Sequence, residues 1–325
     1  MTNLVGTDAP LGAATREAFG DELVALGKEH AEIVVIDGDV NNSTYTNKFM
    51  KEFPDRFFNC GIAESNMIGI ASGLASCGKV AFVSSFSAFL INNAYEQLRM
   101  SVAYPRLNVK CVGTHAGISI GEDGPSQMAL EDVAATRALA GFVVLVPADE
   151  KSTRSAIRAA YAHDGPVYVR TGRPKAPIVY ADGVEVRIGK ALQVRDGIDV
   201  TLIANGLMVA AAVGAADVLA RENLRARVLD MVSTKPIDED AIAKAARETG
   251  AIVVAEEHLH AGGLGSAVAE TVAATAPVPI EFVDVGDRYG ESGTPEELML
   301  HYGLTASDVV RAAKRVLDRK QTLSI

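Results

Sequence analysis

Residues 58–90 read FNCGIAESNMIGIASGLASCGKVAFVSSFSAFL, and their reading decides the fold. A short strand ends near Cys60. A helix of small and apolar residues starts near Glu64 and runs through Ser76. A buried strand, Val80–Ser84, follows, and two aromatic residues, Phe86 and Phe89, come just after its carboxyl end. The same alternation extends in both directions. Candidate strands are Ile33–Asp37, Val109–Gly113, Val143–Val146 and Val167–Arg170, then Val200–Ala204, Ala226–Met231, Ala251–Glu256 and Ile280–Asp284. Continuous apolar strands separated by helical stretches predict an α/β fold, with mostly parallel sheets covered by helices on both faces.

The pattern breaks at residues 171–189, TGRPKAPIVYADGVEVRIG, which carry two prolines and three glycines and no helical period. This stretch is expected to be an interdomain linker leading into a hairpin. It divides the 325 residues into a first domain over about 1–180 and a second over about 186–325. Hydrophobic residues make up 48% and charged residues 22%, which permits two sizeable cores and argues against disorder. The net charge of −10 argues against a nucleic-acid or acidic-membrane partner, since either requires a basic face. The three cysteines, Cys60, Cys77 and Cys111, form no CxxC pair and no zinc-like cluster. Free thiols fit a reducing cytoplasm. The N-terminal stretch MTNLVGTDAP lacks the basic and apolar regions of a signal peptide, and no apolar run approaches the ~18 residues of a membrane span.

Polar groups stand out in four places. Glu64 opens a helix whose next turns look buried. The macrodipole favours a carboxylate there, but a buried one is costly unless something binds it. Phe86 and Phe89 lie at the carboxyl end of a strand, the edge where open parallel sheets bind ligands, although both also suit a core. Residues 113–127, GTHAGISIGEDGPSQ, form a long loop bearing His115, Glu122, Asp123 and Gln127. Loops longer than ~12 residues in compact domains are often functional. Arg16, Arg170 and Arg173 are scattered cations of the kind that grip phosphates, though each alone reads more readily as a surface ion pair. The glycine-rich HAGGLG, residues 260–265, opens a helix but lacks the order of a nucleotide-binding loop, so close packing is the expected use.

These residues resemble the transketolase family. The likeness rests on FPDRFFNCGIAESNMIGIASGLA at 53–75, VSSFSAFL at 83–90 and HAGISIGEDGPSQMALEDVAATRALAG at 115–141. VYVRTGRP at 167–174 extends it, and IDEDAI at 237–242 and EEHLHAGGLG at 256–265 resemble that family's C-terminal domain. The resemblance implies thiamine diphosphate as cofactor and transfer of a two-carbon ketol unit between sugar phosphates. It implies Glu64 as the catalytic carboxylate on the cofactor's pyrimidine, with Phe86, Phe89 and Gln127 around the cofactor. It implies His115 and Asp123 at sugar hydroxyls, and Arg16, Ser43 and Arg170 at the acceptor phosphate. Gln127 matches animal-type enzymes, where microbial ones carry His. Asn93 departs from the Arg that related sequences often place there.

The resemblance also implies what is missing. The family's diphosphate-and-metal motif needs a GDG followed by an Asn roughly 25–30 residues later. Here Asp37-Gly38-Asp39 continues as VNNSTY. No residue of this chain is therefore expected to ligate the metal. Magnesium and the diphosphate are expected on a separate N-terminal subunit, in a heterotetramer of two heterodimers. Two enzyme readings compete: the β subunit of a 2-oxo acid dehydrogenase, which would decarboxylate pyruvate without ketol transfer, and a deoxyxylulose phosphate synthase, normally one long chain. A non-catalytic regulatory subunit is the reading from another class. The sequence leaves the donor and acceptor sugars open.

Overall fold

The strands carry the alternation that a doubly covered sheet requires. In Ile33–Asp37, Val34 and Ile36 enter one hydrophobic core while Ile33 and Val35 enter the core on the opposite face. In Val80–Phe86, Ala81 and Val83 divide from Val80 and Phe82 in the same way. Both faces are apolar because helices cover both, and a strand side chain points to alternate faces.

A computed structural model describes residues 3–323. Its larger sheet has seven strands, in the order Ser233–Lys235, Val143–Leu145, Val167–Arg170, Val109–Thr114, Val80–Phe86, Ile33–Asp37 and Phe57–Asn59. All pair in parallel except the first, which is antiparallel to its neighbour. Helices Glu64–Ser76, Ser87–Asn92 and Asp132–Ala138 cover one face. Thr15–Glu29 and Glu150–Ala162 cover the other. The second sheet has five strands, ordered Ile280–Val283, Ile252–Ala255, Val200–Ala204, Ala226–Asp230 and Leu192–Arg195. It is parallel apart from the last strand.

The hairpin that residues 171–189 are expected to lead into does not form among the described residues. Lys175–Pro177 instead pairs antiparallel with Leu11–Ala14, and Leu192–Arg195 becomes the antiparallel edge of the five-stranded sheet. The partners of both segments lie far away in sequence, so no local turn signal announces them.

The halves also exchange material. Ser233–Lys235 belongs by sequence to the later half but extends the earlier sheet. Leu4 and Val5 lie in the core of the later half, where the Val5 carbonyl accepts from the Ala306 amide at 2.9 Å. Ile118, Ile120, Met128 and Leu130, from the long loop and its exit, are buried in that same core. The loop therefore rests on the second domain, while its start is anchored in the first.

Candidate active site

Glu64, Phe86 and His115 all lie at the carboxyl ends of parallel strands or in the turn that follows. Val80–Phe86 is two residues longer than the sequence suggests, so Phe86 closes the strand and Phe89 sits in the first turn of Ser87–Asn92. The Phe86 and Phe89 rings are nearly parallel, 5.8 Å apart and 10° between planes. The His115 ring stacks on Phe86 at 3.8 Å. Phe89 also lines a cleft of about 210 Å³ with Asn92, Asn93, Met128 and Tyr289.

Glu64 is the first residue of its helix and only 5% exposed. Its Oε1 accepts from the Ser85 hydroxyl at 3.0 Å. Among the described residues no cation pairs with it. A nearly buried carboxylate without a counter-cation is held here by one hydroxyl and the helix N-terminus, an arrangement that suits a ligand able to share a proton with it. Ser85 directly precedes Phe86 in the strand, and a carboxylate and hydroxyl so placed, with an aromatic pair at the same strand end, fit a flat heteroaromatic ring bearing a weakly basic nitrogen.

A second cluster lies beside it. Asp37, fully buried at the end of its strand, accepts from the Val40 amide and from the Thr44 and Thr46 hydroxyls, each at 2.8 Å. Burial raises its pKa despite these bonds. The turn so tied presents the Ser43 carbonyl to Arg16, whose Nη1 donates to it at 2.6 Å. The same Nη1 lies 3.2 Å from His115 Nε2, and Arg16 Nε donates to the Arg173 carbonyl at 3.3 Å. Arg173 Nη1 reaches Glu122 at 3.2 Å and Asp123 at 3.8 Å. Burial first, then the charges of Arg16 and Arg173, push the His115 pKa down to about 3, so the imidazole is neutral. Because Arg16 only donates, Nε2 accepts, and Nδ1–H donates to the Thr114 hydroxyl at 2.8 Å.

Arg16, Ser43, His115 and Asp123 are thus brought together, and Arg170 is not. Arg170 is 7% exposed. Its Nε donates to Asp132 at 2.9 Å, and its Nη2 donates to the carbonyls of Ala129 and Glu257 at 3.0 and 2.9 Å. Burial disfavours its charge, but Asp132 and Glu257 outweigh that and hold the pKa above its ordinary value. The acceptor phosphate was expected at Arg170, whose guanidinium is enclosed here by protein partners. The physical reason is strand alternation. Arg170 shares the inward face of Tyr168, whereas Arg173, three residues on, has left the sheet and meets the Arg16 cluster. In the sequence Arg173 stands out only as one of three scattered cations. The R-x-x-R spacing across a strand end was the available signal.

Gln127 is half-buried, and its Oε1 accepts from the Ser126 hydroxyl at 2.5 Å. Among the described residues no hydrogen bond ties it to Glu64. The glycine-rich stretch at 260–265 has its helix N-terminus filled from within: Glu256 accepts from the Leu264 and Gly265 amides at 2.8 and 2.7 Å. Among the described residues no group of three His, Cys, Asp or Glu side chains is placed to hold a metal ion.

Comparison with known proteins agrees with this layout. The profile of the transketolase pyrimidine binding domain matches residues 12–178, and that of the transketolase C-terminal domain matches residues 189–309. A protein of Methanocaldococcus jannaschii described as a putative transketolase C-terminal section is 43% identical over 93% of this chain and 95% of its own length. A 6-deoxy-6-sulfo-D-fructose transketolase subunit of a Clostridium species is 41% identical over 94% of this chain and 95% of its own. A solved structure described as a split gene transketolase, inactive β4 tetramer, superposes with a TM-score of 0.87 at 46% identity, covering 95% of this chain and 99% of that one. The chain belongs to the transketolase family.

Proposed function

We propose that this chain is the C-terminal subunit of a split transketolase, which moves a two-carbon ketol unit from a ketose phosphate to an aldose phosphate. It acts only with an N-terminal subunit that holds the diphosphate and a divalent metal such as magnesium, in a pair of heterodimers. The observation that carries this reading is the nearly buried carboxylate of Glu64, bonded to Ser85 immediately before Phe86, whose ring lies nearly parallel to that of Phe89. The relatives described as a C-terminal section and as a subunit support the split arrangement.

When bound, thiamine diphosphate supplies a carbon nucleophile and an electron sink. Glu64 holds and shares a proton at the pyrimidine nitrogen, with Ser85 Oγ fixing its orientation. Phe86 and Phe89 form an apolar wall that excludes water from that proton. Neutral His115 accepts at Nε2, and Asp123 accepts from sugar hydroxyls. Arg16 and Arg173 supply the positive charge for the terminal anion of the substrate, so Arg173 takes the role first given to Arg170. Gln127 contributes at the cofactor's edge. The three free cysteines support a cytoplasmic location. No helix among the described residues is long and apolar enough to cross a membrane.

The test is reconstitution with the partner, thiamine diphosphate and magnesium. The mixture is expected to transfer ketol units, and the separate chain is not. Glu64→Gln is expected to assemble normally and lose about 10²-fold or more in kcat, the usual scale of a proton-transfer group. Full turnover by the chain alone, or a Glu64→Gln variant retaining more than about a tenth of the rate, would contradict the reading.

A further inference from the structure

The long loop that brings His115 and Asp123 to the site has turns of its own further along, where the Gly121 amide donates to the Ile118 carbonyl and the Gly124 amide to the Gly121 carbonyl, but its first residues are held by other parts of the fold. Its backbone is fixed from outside at three adjacent points. The Ala116 amide donates to the Thr171 carbonyl at 3.2 Å, and the Gly117 amide donates to the Ala129 carbonyl at 2.9 Å. The Ser119 amide donates at 2.6 Å to Oε1 of Glu257, a residue of the second domain just after the strand Ile252–Ala255. Glu257 is 5% exposed, so its carboxylate is enclosed with the loop.

The fit depends on a glycine. Gly117 has φ +86°, in the left-handed region that glycine adopts without strain, and a Cβ there would lie 2.1 Å from Glu257 Oε1. The carboxylate therefore occupies the space that any other residue at 117 would fill. Arg170 closes the arrangement. Its Nη2 bridges the carbonyls of Glu257 and Ala129, the latter also accepting from Gly117, while its Nε pairs with Asp132. Asp132 accepts from the Tyr168 hydroxyl at 2.5 Å, and that hydroxyl lies 3.1 Å from the Ser87 hydroxyl at the start of the helix bearing Phe89. One buried charge network thus touches both the substrate loop and the aromatic wall. The mechanism above uses none of its members.

We propose that Glu257 is a positioning residue through which the second domain holds the His115–Asp123 segment in its binding geometry. The kinetic arm of this inference rests on the transketolase reading. The exchange arm stands without it.

The experiment compares wild type, Glu257→Ala, Glu257→Gln and Arg137→Ala. Arg137 joins the same two domains through the carbonyls of Gly262 and Gly263 and does not touch the loop, so it serves as the control for simple domain fastening. Amide hydrogen exchange is measured first, on each chain alone. Glu257→Ala is expected to speed exchange across residues 116–121 by about 10-fold or more, with the strands Val200–Ala204 and Ile252–Ala255 unchanged. Glu257→Gln keeps an acceptor oxygen and is expected to restore most of that protection. If Glu257→Ala does not fold, the Gln variant is held to the same comparison, with a smaller acceleration confined to the loop.

With the partner subunit present, Glu257→Ala is expected to raise KM for a phosphorylated acceptor about 10-fold while kcat changes less than about 3-fold, a split typical of lost ground-state positioning. Arg137→Ala is expected to leave both unchanged. Loop exchange equal to wild type, loop and second-domain strands accelerating together, or equal kinetic losses in Arg137→Ala would each overturn the proposal. If the wild-type assembly transfers no ketol unit at all, the functional reading fails, and the exchange data still decide the role of Glu257.

Discussion

His115 shows how much one residue's setting determines. It has φ +59°, its ring lies against Phe86, and its two nitrogens have opposite duties. A histidine held neutral down to about pH 3 does not act as a titrating acid near pH 7. Its ¹⁵N NMR shifts are expected to report one neutral, Nδ1-protonated tautomer from about pH 5 to 8. An imidazolium signal in that range would refute the assignment. The folded pKa lies below the unfolded value near 6.5, so between about pH 6.5 and 3 the unfolded chain binds a proton that the folded chain does not. Stability is therefore lost as pH falls through that window. His115→Gln is expected to remove up to one proton, about 1.4 kcal/mol per pH unit, from the acid slope measured by denaturation.

The two arginines three residues apart separate binding from folding. Arg173→Ala is expected to raise KM for a phosphorylated or sulfonated acceptor roughly 10–100-fold and to spare an uncharged aldehyde, as for one charge-assisted contact. Arg170→Ala leaves the Asp132 carboxylate, 1% exposed, without its cation. Breaking such a pair costs about 3–5 kcal/mol, so this variant is expected to lose stability and to impair both acceptors equally. The reverse pattern, measured by steady-state kinetics and urea unfolding, would return the anion contact to Arg170.

At the scale of elements, helix ends explain the glycine-rich motif at residues 260–265. The helix Leu264–Thr275 begins after Gly262 and Gly263, and a Cβ at Gly263 would lie 2.3 Å from Glu256 Oε2. Glycine is needed because an internal carboxylate caps the helix, filling the place an anionic ligand would take. Glu256→Ala removes two charge-assisted bonds and is expected to cost roughly 2–3 kcal/mol in urea unfolding, with catalysis in the assembled enzyme preserved. Loss of cofactor binding instead would mean that this helix end has a ligand after all.

At the scale of the whole molecule, the two domains are not independent beads. Leu4 and Val5, 5% and 0% exposed, lie in the second domain's core. The strand Ser233–Lys235 extends the first domain's sheet. Replacing Leu4 and Val5 together by Ala is expected to destabilise by about 3–5 kcal/mol, from lost burial and the cavity left behind. Differential scanning calorimetry is expected to show the second domain melting first. An unchanged thermogram would mean the N-terminal segment is only an appendage.

The sequence by itself determined the sheet architecture, because apolar strands separated by helices leave few alternatives to parallel sheets covered on both faces. It also pointed to Glu64, the aromatic pair and the loop, because a polar group in an apolar setting, or a long loop at a strand end, costs free energy that packing alone does not recover. Three matters were decided only by the tertiary structure. Lys175–Pro177, within the stretch expected to be linker, paired with Leu11–Ala14, a strand near the start of the chain, since antiparallel edge pairing with a distant partner carries no local signature. Arg173 and not Arg170 meets the Arg16 cluster, because which of two nearby cations leaves the sheet depends on where the strand stops. Glu257 met Ser119 across 138 positions of chain, a contact that exists only once the second domain has closed over the loop.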